Sequence, residues 1–103
     1  MPEPLGTLAE QFERHLKQAD WANAAQTAAA IVKETPRQAT GYLLKARIGN
    51  RQAELEPDAE LARHFRQQAI RTLERGLAQC PAASEQQLLQ QAIAALRRQL
   101  DQS

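Results

Sequence analysis

Apolar residues return along this chain at steps of three and four, and no segment alternates with period two over a useful length, so the pattern predicts helices and no strands. Thr7 opens the first helix, with Glu10 three positions on in the arrangement where a hydroxyl and a carboxylate satisfy each other's free backbone N–H groups. Leu8, Phe12, Leu16 and Ala19 follow as one stripe. Asp20 reads as the N-cap of a second helix, in which Trp21, Ala24 or Ala25, Ala28, Ile31 and Val32 recur. That helix ends near Glu34, because Pro36 pushes Thr35 out of the helical region.

A third helix begins at about Arg37 or Ala39, carries Ala39, Tyr42, Leu43 and Ala46 on one face, and runs through Gly49-Asn50 to about Leu55. Pro57 suits the first turn of a fourth helix, where Asp58 and Glu60 complement the positive helix start. Leu61, Phe65, Ala69 or Ile70, Leu73 and Leu77 continue that helix to Gln79, and Cys80-Pro81 closes it. Ser84 with Gln87 reads as a second capping pair, ahead of a fifth helix marked by Leu88 or Leu89, Ala92 or Ile93, Leu96 and Leu100. Short links between these elements make sequence neighbours antiparallel. The expected fold is all-α, five helices stacked as antiparallel hairpins.

Composition agrees with that class. The 103 residues suffice for one domain, 43% are hydrophobic, and only 4% are aromatic, so alanine and leucine carry the core. Thirteen basic residues against twelve acidic ones leave a net charge of +1, too small a field to attract nucleic acid or anionic lipid by itself. No apolar run approaches the ~20 residues of a membrane span, and Met1-Pro2-Glu3-Pro4 lacks the basic and apolar regions of a secretory signal. The single cysteine, Cys80, excludes an internal disulfide and a cysteine-based metal site and fits a reducing compartment. Taken as complete, the chain is expected in the cytoplasm.

Two stretches echo each other. A small residue precedes a terminal proline by twelve positions twice, Ala24 before Pro36 and Ala69 before Pro81, and Tyr42 is followed four residues later by Ala46. With the turn Ala19-Asp20-Trp21-Ala22-Asn23-Ala24, this resembles the tetratricopeptide repeat, a helix-turn-helix unit of about 34 residues with an aromatic, small-residue and proline signature. Ala24, Ala46, Ala69 and Gly76 are the small residues that let helices approach, and Trp21, Tyr42, Phe65 and Leu73 fill between them. The resemblance divides a single domain into a first hairpin (7–36), a second, lengthened hairpin (37–81) and a capping helix (84–101). The chain departs from the family at Phe12, where a small residue is preferred, and at Gln11 and Lys45, where leucine is preferred. Its two prolines stand 45 positions apart, and longer helices in the second hairpin absorb the excess.

Catalytic chemistry finds no constellation. His15 and His64 fall on different helices without a second ligand at four-residue spacing, Cys80 has no nearby histidine in sequence, and no glycine-rich phosphate loop occurs. The expectation is a non-enzymatic chain with no catalytic residue, no metal and no cofactor.

The resemblance implies instead that the first helix of each repeat lines a concave surface for a partner's peptide or helix. Carried over by position, Ala9, Glu13, Leu16 and Lys17 come from the first repeat, and Thr40, Leu43, Arg47, Asn50 and Arg51 from the second. Of these, Glu13, Lys17, Leu43, Arg47, Asn50 and Arg51 are the candidate partner-binding residues. Arg47 and Arg51, like charges one turn apart, suit an acidic segment or a terminal carboxylate; the bland alternative pairs Arg51 with Glu54 or Glu56. In size the chain is also similar to the small tetratricopeptide chaperones of bacterial secretion systems, which hold an aggregation-prone helix. Homodimerisation through Leu88, Leu89, Ile93, Leu96 and Leu100 is a competing use of the fifth helix. A second functional class, a small nucleic-acid-binding or regulatory protein, rests on Arg63, Arg66, Arg71 and Arg75 of the fourth helix, which spread over half its circumference without interleaved aromatics.

Overall fold

A computed structural model describes residues 5–102. They form α1 (Leu5–Lys17), α2 (Trp21–Glu34), α3 (Thr40–Leu55), α4 (Ala59–Gln79) and α5 (Ala83–Gln102), joined by links of three to five residues. The Met1–Pro4 start, read above for a leader, lies outside the described residues.

The links show which local rules decide the helix ends. At the first reversal the Ala19 N–H donates to the Leu16 carbonyl (3.1 Å) and the Asp20 N–H to the His15 carbonyl (2.9 Å), with Ala19 at φ 57°. This paired closure around a left-handed residue ends many helices and ordinarily uses glycine. It turns Ala19 out to solvent, so the expected α1 stripe stops at Leu16. Asp20 then caps α2 as expected, accepting from the Asn23 N–H at 3.4 Å and from Asn23 Nδ2 at 2.7 Å.

Three expected helix starts are corrected. α1 begins at Leu5, which places Thr7 inside the first turn, too late to cap. At α4 the cap is Asp58, whose carboxylate accepts from the N–H groups of Glu60 (2.9 Å) and Leu61 (3.3 Å); Pro57 lies just before that cap and not in the first turn. α5 begins at Ala83, so Ser84 is already helical. Gln86 instead reaches back, its Nε2 donating to the Cys80 carbonyl at 2.9 Å and satisfying the end of α4. Leu61 is corrected too: it is 40% exposed, and its neighbour Ala62 faces the interior at 7%.

Packing is sequential. α1 lies on α2, α2 on α3, α3 on α4 and α4 on α5, with a lighter contact between α3 and α5. Extents of 43 × 33 × 14 Å leave room for two helix layers in the thin direction, given interaxial distances of about 8–10 Å. α1, α3 and α5 form one layer, and α2 and α4 the other. The molecule is a short stack of antiparallel hairpins, all-α, with no strand among the described residues. The arms of the second hairpin, 16 and 21 residues, exceed those of the first, 13 and 14.

Two apolar cores result, and α3 serves both. Phe12, Leu16, Ala24, Ala28 and Ile48 make the first, with Trp21, Ala25 and Leu44 against it. Ala39, Tyr42, Ala46, Ala69, Ile70, Leu73, Cys80, Leu89, Ile93 and Leu96 make the second. Phe12, Leu73 and Leu89 are wholly buried, each contributing about 1.5–3 kcal/mol by area removed from water.

Alanine and glycine set the distances. A Cβ at Gly76 would lie 2.8 Å from Cγ of Tyr42, and one at Gly49 would lie 2.9 Å from the Phe65 carbonyl oxygen. Gly49 therefore does not stop α3; it brings α4 close. Tyr42, seated on Gly76, donates its hydroxyl to the Pro36 carbonyl at 3.0 Å. Burial first, then the nearby Cys80, pushes the Tyr42 hydroxyl above its ordinary pKa.

Candidate functional site

The layer of α1, α3 and α5 carries two adjoining hollows. Between α3 and α5, Leu43, Ala46, Arg47 and Asn50 face Ala92, Ala95, Leu96 and Gln99 across a floor formed by Leu73, enclosing about 260 Å³. Between α1 and α3, Leu16, Arg47, Asn50, Arg51 and Glu54 enclose about 290 Å³. Arg47 and Asn50 border both, so the two hollows adjoin, the first mainly apolar and the second charged.

The charged end is ordered by its own contacts. Arg47 makes a fork to Glu13, its Nη1 and Nη2 donating to the two carboxylate oxygens at 2.5 and 3.1 Å. The same guanidinium lies 5.6 Å from the centre of the Phe12 ring. The hydrogen bond from Arg47 holds the Glu13 carboxyl below its usual range, outweighing a slight opposing effect of burial. Arg51 pairs with Glu54 at 2.9 Å, as the bland alternative expected. Asn50 links the parts: its Nδ2 donates to Glu54 at 3.3 Å, and its Oδ1 accepts from Arg66 Nε of α4 at 3.3 Å.

Five of the six candidate residues thus meet in one place, Glu13 through its fork and Leu43, Arg47, Asn50 and Arg51 by lining the hollows. Lys17 stands exposed one turn along α1 from Glu13 and lines neither hollow. Ala9 and Thr40, also placed on this surface by position, line neither one. Sequence reading missed the far wall. Ala92, Ala95 and Gln99 step by three and four along α5 beside the buried Leu89-Ile93-Leu96 stripe, and two alanines there leave the space open. That spacing of small residues is the signal the sequence carries, overshadowed by the larger Leu89-Ile93-Leu96 stripe beside it.

Other groups with chemistry are committed elsewhere. Cys80 is 1% exposed, and burial, followed by the charge of Glu85, pushes its thiol above the ordinary range. His15 Nδ1 is buried without a hydrogen bond, 3.7 Å from Asp20 Oδ2. The Asp20 carboxyl is held low by hydrogen bonds from the Asn23 side chain and backbone. Among the described residues no group of three His, Cys, Asp or Glu is placed to hold a metal ion, and no helix is long and apolar enough to cross a membrane. On α5, Leu89, Ile93 and Leu96 are buried within the chain, and Leu88 is left 46% exposed. Compared with protein-family models, curated proteins and solved structures, the chain matches none.

Proposed function

We propose that this chain is a non-enzymatic protein-interaction module of tetratricopeptide type, a small cytoplasmic adaptor or chaperone that receives a helix or peptide of a partner protein between α1, α3 and α5. The observation that carries the reading is the pair of adjoining hollows on that layer, one of about 260 Å³ lined mainly by apolar side chains and one of about 290 Å³ edged by charge, with Arg47 and Asn50 bordering both. An apolar side chain of the guest fits between Leu43, Ala92, Ala95 and Leu96, while Arg47 and Asn50 hydrogen-bond its polar groups. Arg47 and Arg51 already hold carboxylates of their own chain, so an acidic guest competes with Glu13 and Glu54 instead of meeting bare cations.

The test fills the apolar hollow. Ala95 is exposed on α5, so Ala95→Trp blocks it without disturbing either core. A protein that co-purifies from the native cell with the wild-type chain, and is lost with Ala95→Trp at unchanged melting temperature, supports the reading. Retention of the same protein by the filled variant removes it.

A further inference from the structure

The opposite layer has a different character. Where α2 and α4 meet α3, Ala29, Val32, Tyr42, Lys45, Thr72 and Arg75 line a hollow of about 120 Å³. Beside it, Gln68, Arg71, Thr72 and Arg75 alone line another of about 240 Å³. Thr72 and Arg75 border both; Lys45 lines the first and Arg71 the second, and neither of these two hollows has an acidic side chain in its walls, although Arg71 also borders a third hollow with Glu74 and Arg97.

This group of neighbouring cations is unbalanced in a chain whose net charge is only +1. Arg47, Arg51 and Arg97 each find a carboxylate, Arg97 meeting Glu74 at 3.7 Å. Among the described residues Lys45, Arg71 and Arg75 have none at ion-pair distance. Arg71 and Arg75 stand one turn apart on α4, a mutually repulsive spacing that a bound anion relieves.

We infer that Arg71 and Arg75, with Lys45 in the adjoining hollow, form a binding site for a single phosphate group, a phosphomonoester in particular. Two guanidinium groups lining one hollow, with an ammonium lining the hollow beside it, suit a multiply charged tetrahedral oxyanion, which accepts several charge-assisted hydrogen bonds at once. Gln68 adds an amide donor at the rim; the Thr72 hydroxyl is spent on the Gln68 carbonyl at 3.2 Å. A nucleic-acid strand fits less well. It takes a row of cations with stacking rings, whereas Arg66 is drawn away to Asn50 and the ring of Tyr42 is buried with its hydroxyl on Pro36.

The site is tested by titrating the isotope-labelled full chain with inorganic phosphate and pyrophosphate at constant ionic strength, reading backbone amide shifts. Saturable shifts confined to 68–75 and Lys45 are expected. Arg71→Gln combined with Arg75→Gln weakens binding by about tenfold or more, the loss of at least one charge-assisted hydrogen bond, without lowering the melting temperature. Phosphoserine and glycerol phosphate distinguish the sources: tighter binding of the first indicates a phosphorylated side chain, and of the second a free metabolite or lipid headgroup. A linear drift matched by chloride overturns the inference, as does saturation unaffected by the double substitution. So does single-stranded DNA that binds more tightly with length while inorganic phosphate leaves these amides unmoved.

Discussion

The carboxylate of Glu85 on α5 accepts the backbone N–H of Ala39 at 3.1 Å, across 46 positions of sequence. Ala39 precedes α3 and has no side chain able to cap it, so α5 supplies the cap that the local sequence lacks. A carboxylate at a helix N-terminus also meets the positive end of the helix dipole. Glu85→Ala leaves a buried donor without a partner and is expected to cost about 1–3 kcal/mol. Glu85→Gln keeps an acceptor, drops only the charge, and costs about 1 kcal/mol or less. Thermal melting followed by circular dichroism orders the two; equal losses would show that the hydrogen bond itself contributes nothing.

Gly76 against Tyr42 is a steric contact that a double-mutant cycle can isolate. Gly76→Ala drives a Cβ to within 2.8 Å of the ring and is expected to destabilise by about 1–3 kcal/mol. In a Tyr42→Ala background the same change has nothing to strike. It is there expected to stabilise by up to about 1 kcal/mol through helix propensity. Urea unfolding of the four chains measures the coupling, and additivity would refute the contact.

Ala19 holds φ 57°, a conformation that disfavours any side chain bearing a Cβ. Ala19→Gly is expected to raise stability by roughly 0.5–1 kcal/mol, even after the greater freedom of glycine in the unfolded chain. Both positions thus favour glycine, for different reasons: Ala19 for its backbone angle, and position 76 for the space that a missing Cβ leaves to Tyr42. A lower melting point for Ala19→Gly would contradict the left-handed closure of α1.

The fork between Glu13 and Arg47 predicts a pH dependence with a definite sign. The folded carboxyl titrates below its ordinary 4.5, so its share of stability is complete above that value and is lost as pH falls through the folded pKa. Both side chains are about half exposed, which limits the pair to a few tenths of a kcal/mol. The stability difference between wild type and Arg47→Ala is expected to stay level above about pH 5 and to shrink below 4.5. It does not reach zero, because the contact of Arg47 with the Phe12 ring does not titrate. A difference that grows on acidification would reject the pairing.

The order of the helices is legible in Asp20, Pro36, Pro57 and Pro81, because capping and proline sterics act within a few residues and leave letters that can be read. The false starts at Thr7 and Ser84 come from the same locality: a Ser or Thr one or two places past the first helical residue looks like one at the cap. Leu61 and Ala62 differ by one position in a period of 3.6, so a stripe accommodates either, and only the packed neighbour chooses between them. The site is half legible. Glu13, Arg47 and Asn50 follow from position in the hairpins, but the fork joins residues 34 apart. That pairing is written in no local pattern, and the spacing of Ala92 and Ala95 becomes a wall only through the packing that sets α5 opposite α3.

α3 gives Ile48 to one core and Tyr42 and Ala46 to the other, and α1 and α2 reach the remaining helices through it. Loosening therefore has a direction. The first hairpin can detach while the second keeps its order, but nothing can melt α3 and leave either half intact. Deuterium entering the chain would reach the central amides of α3 last, and a protease admitted at the Ala19 turn would release a short piece from a longer surviving one.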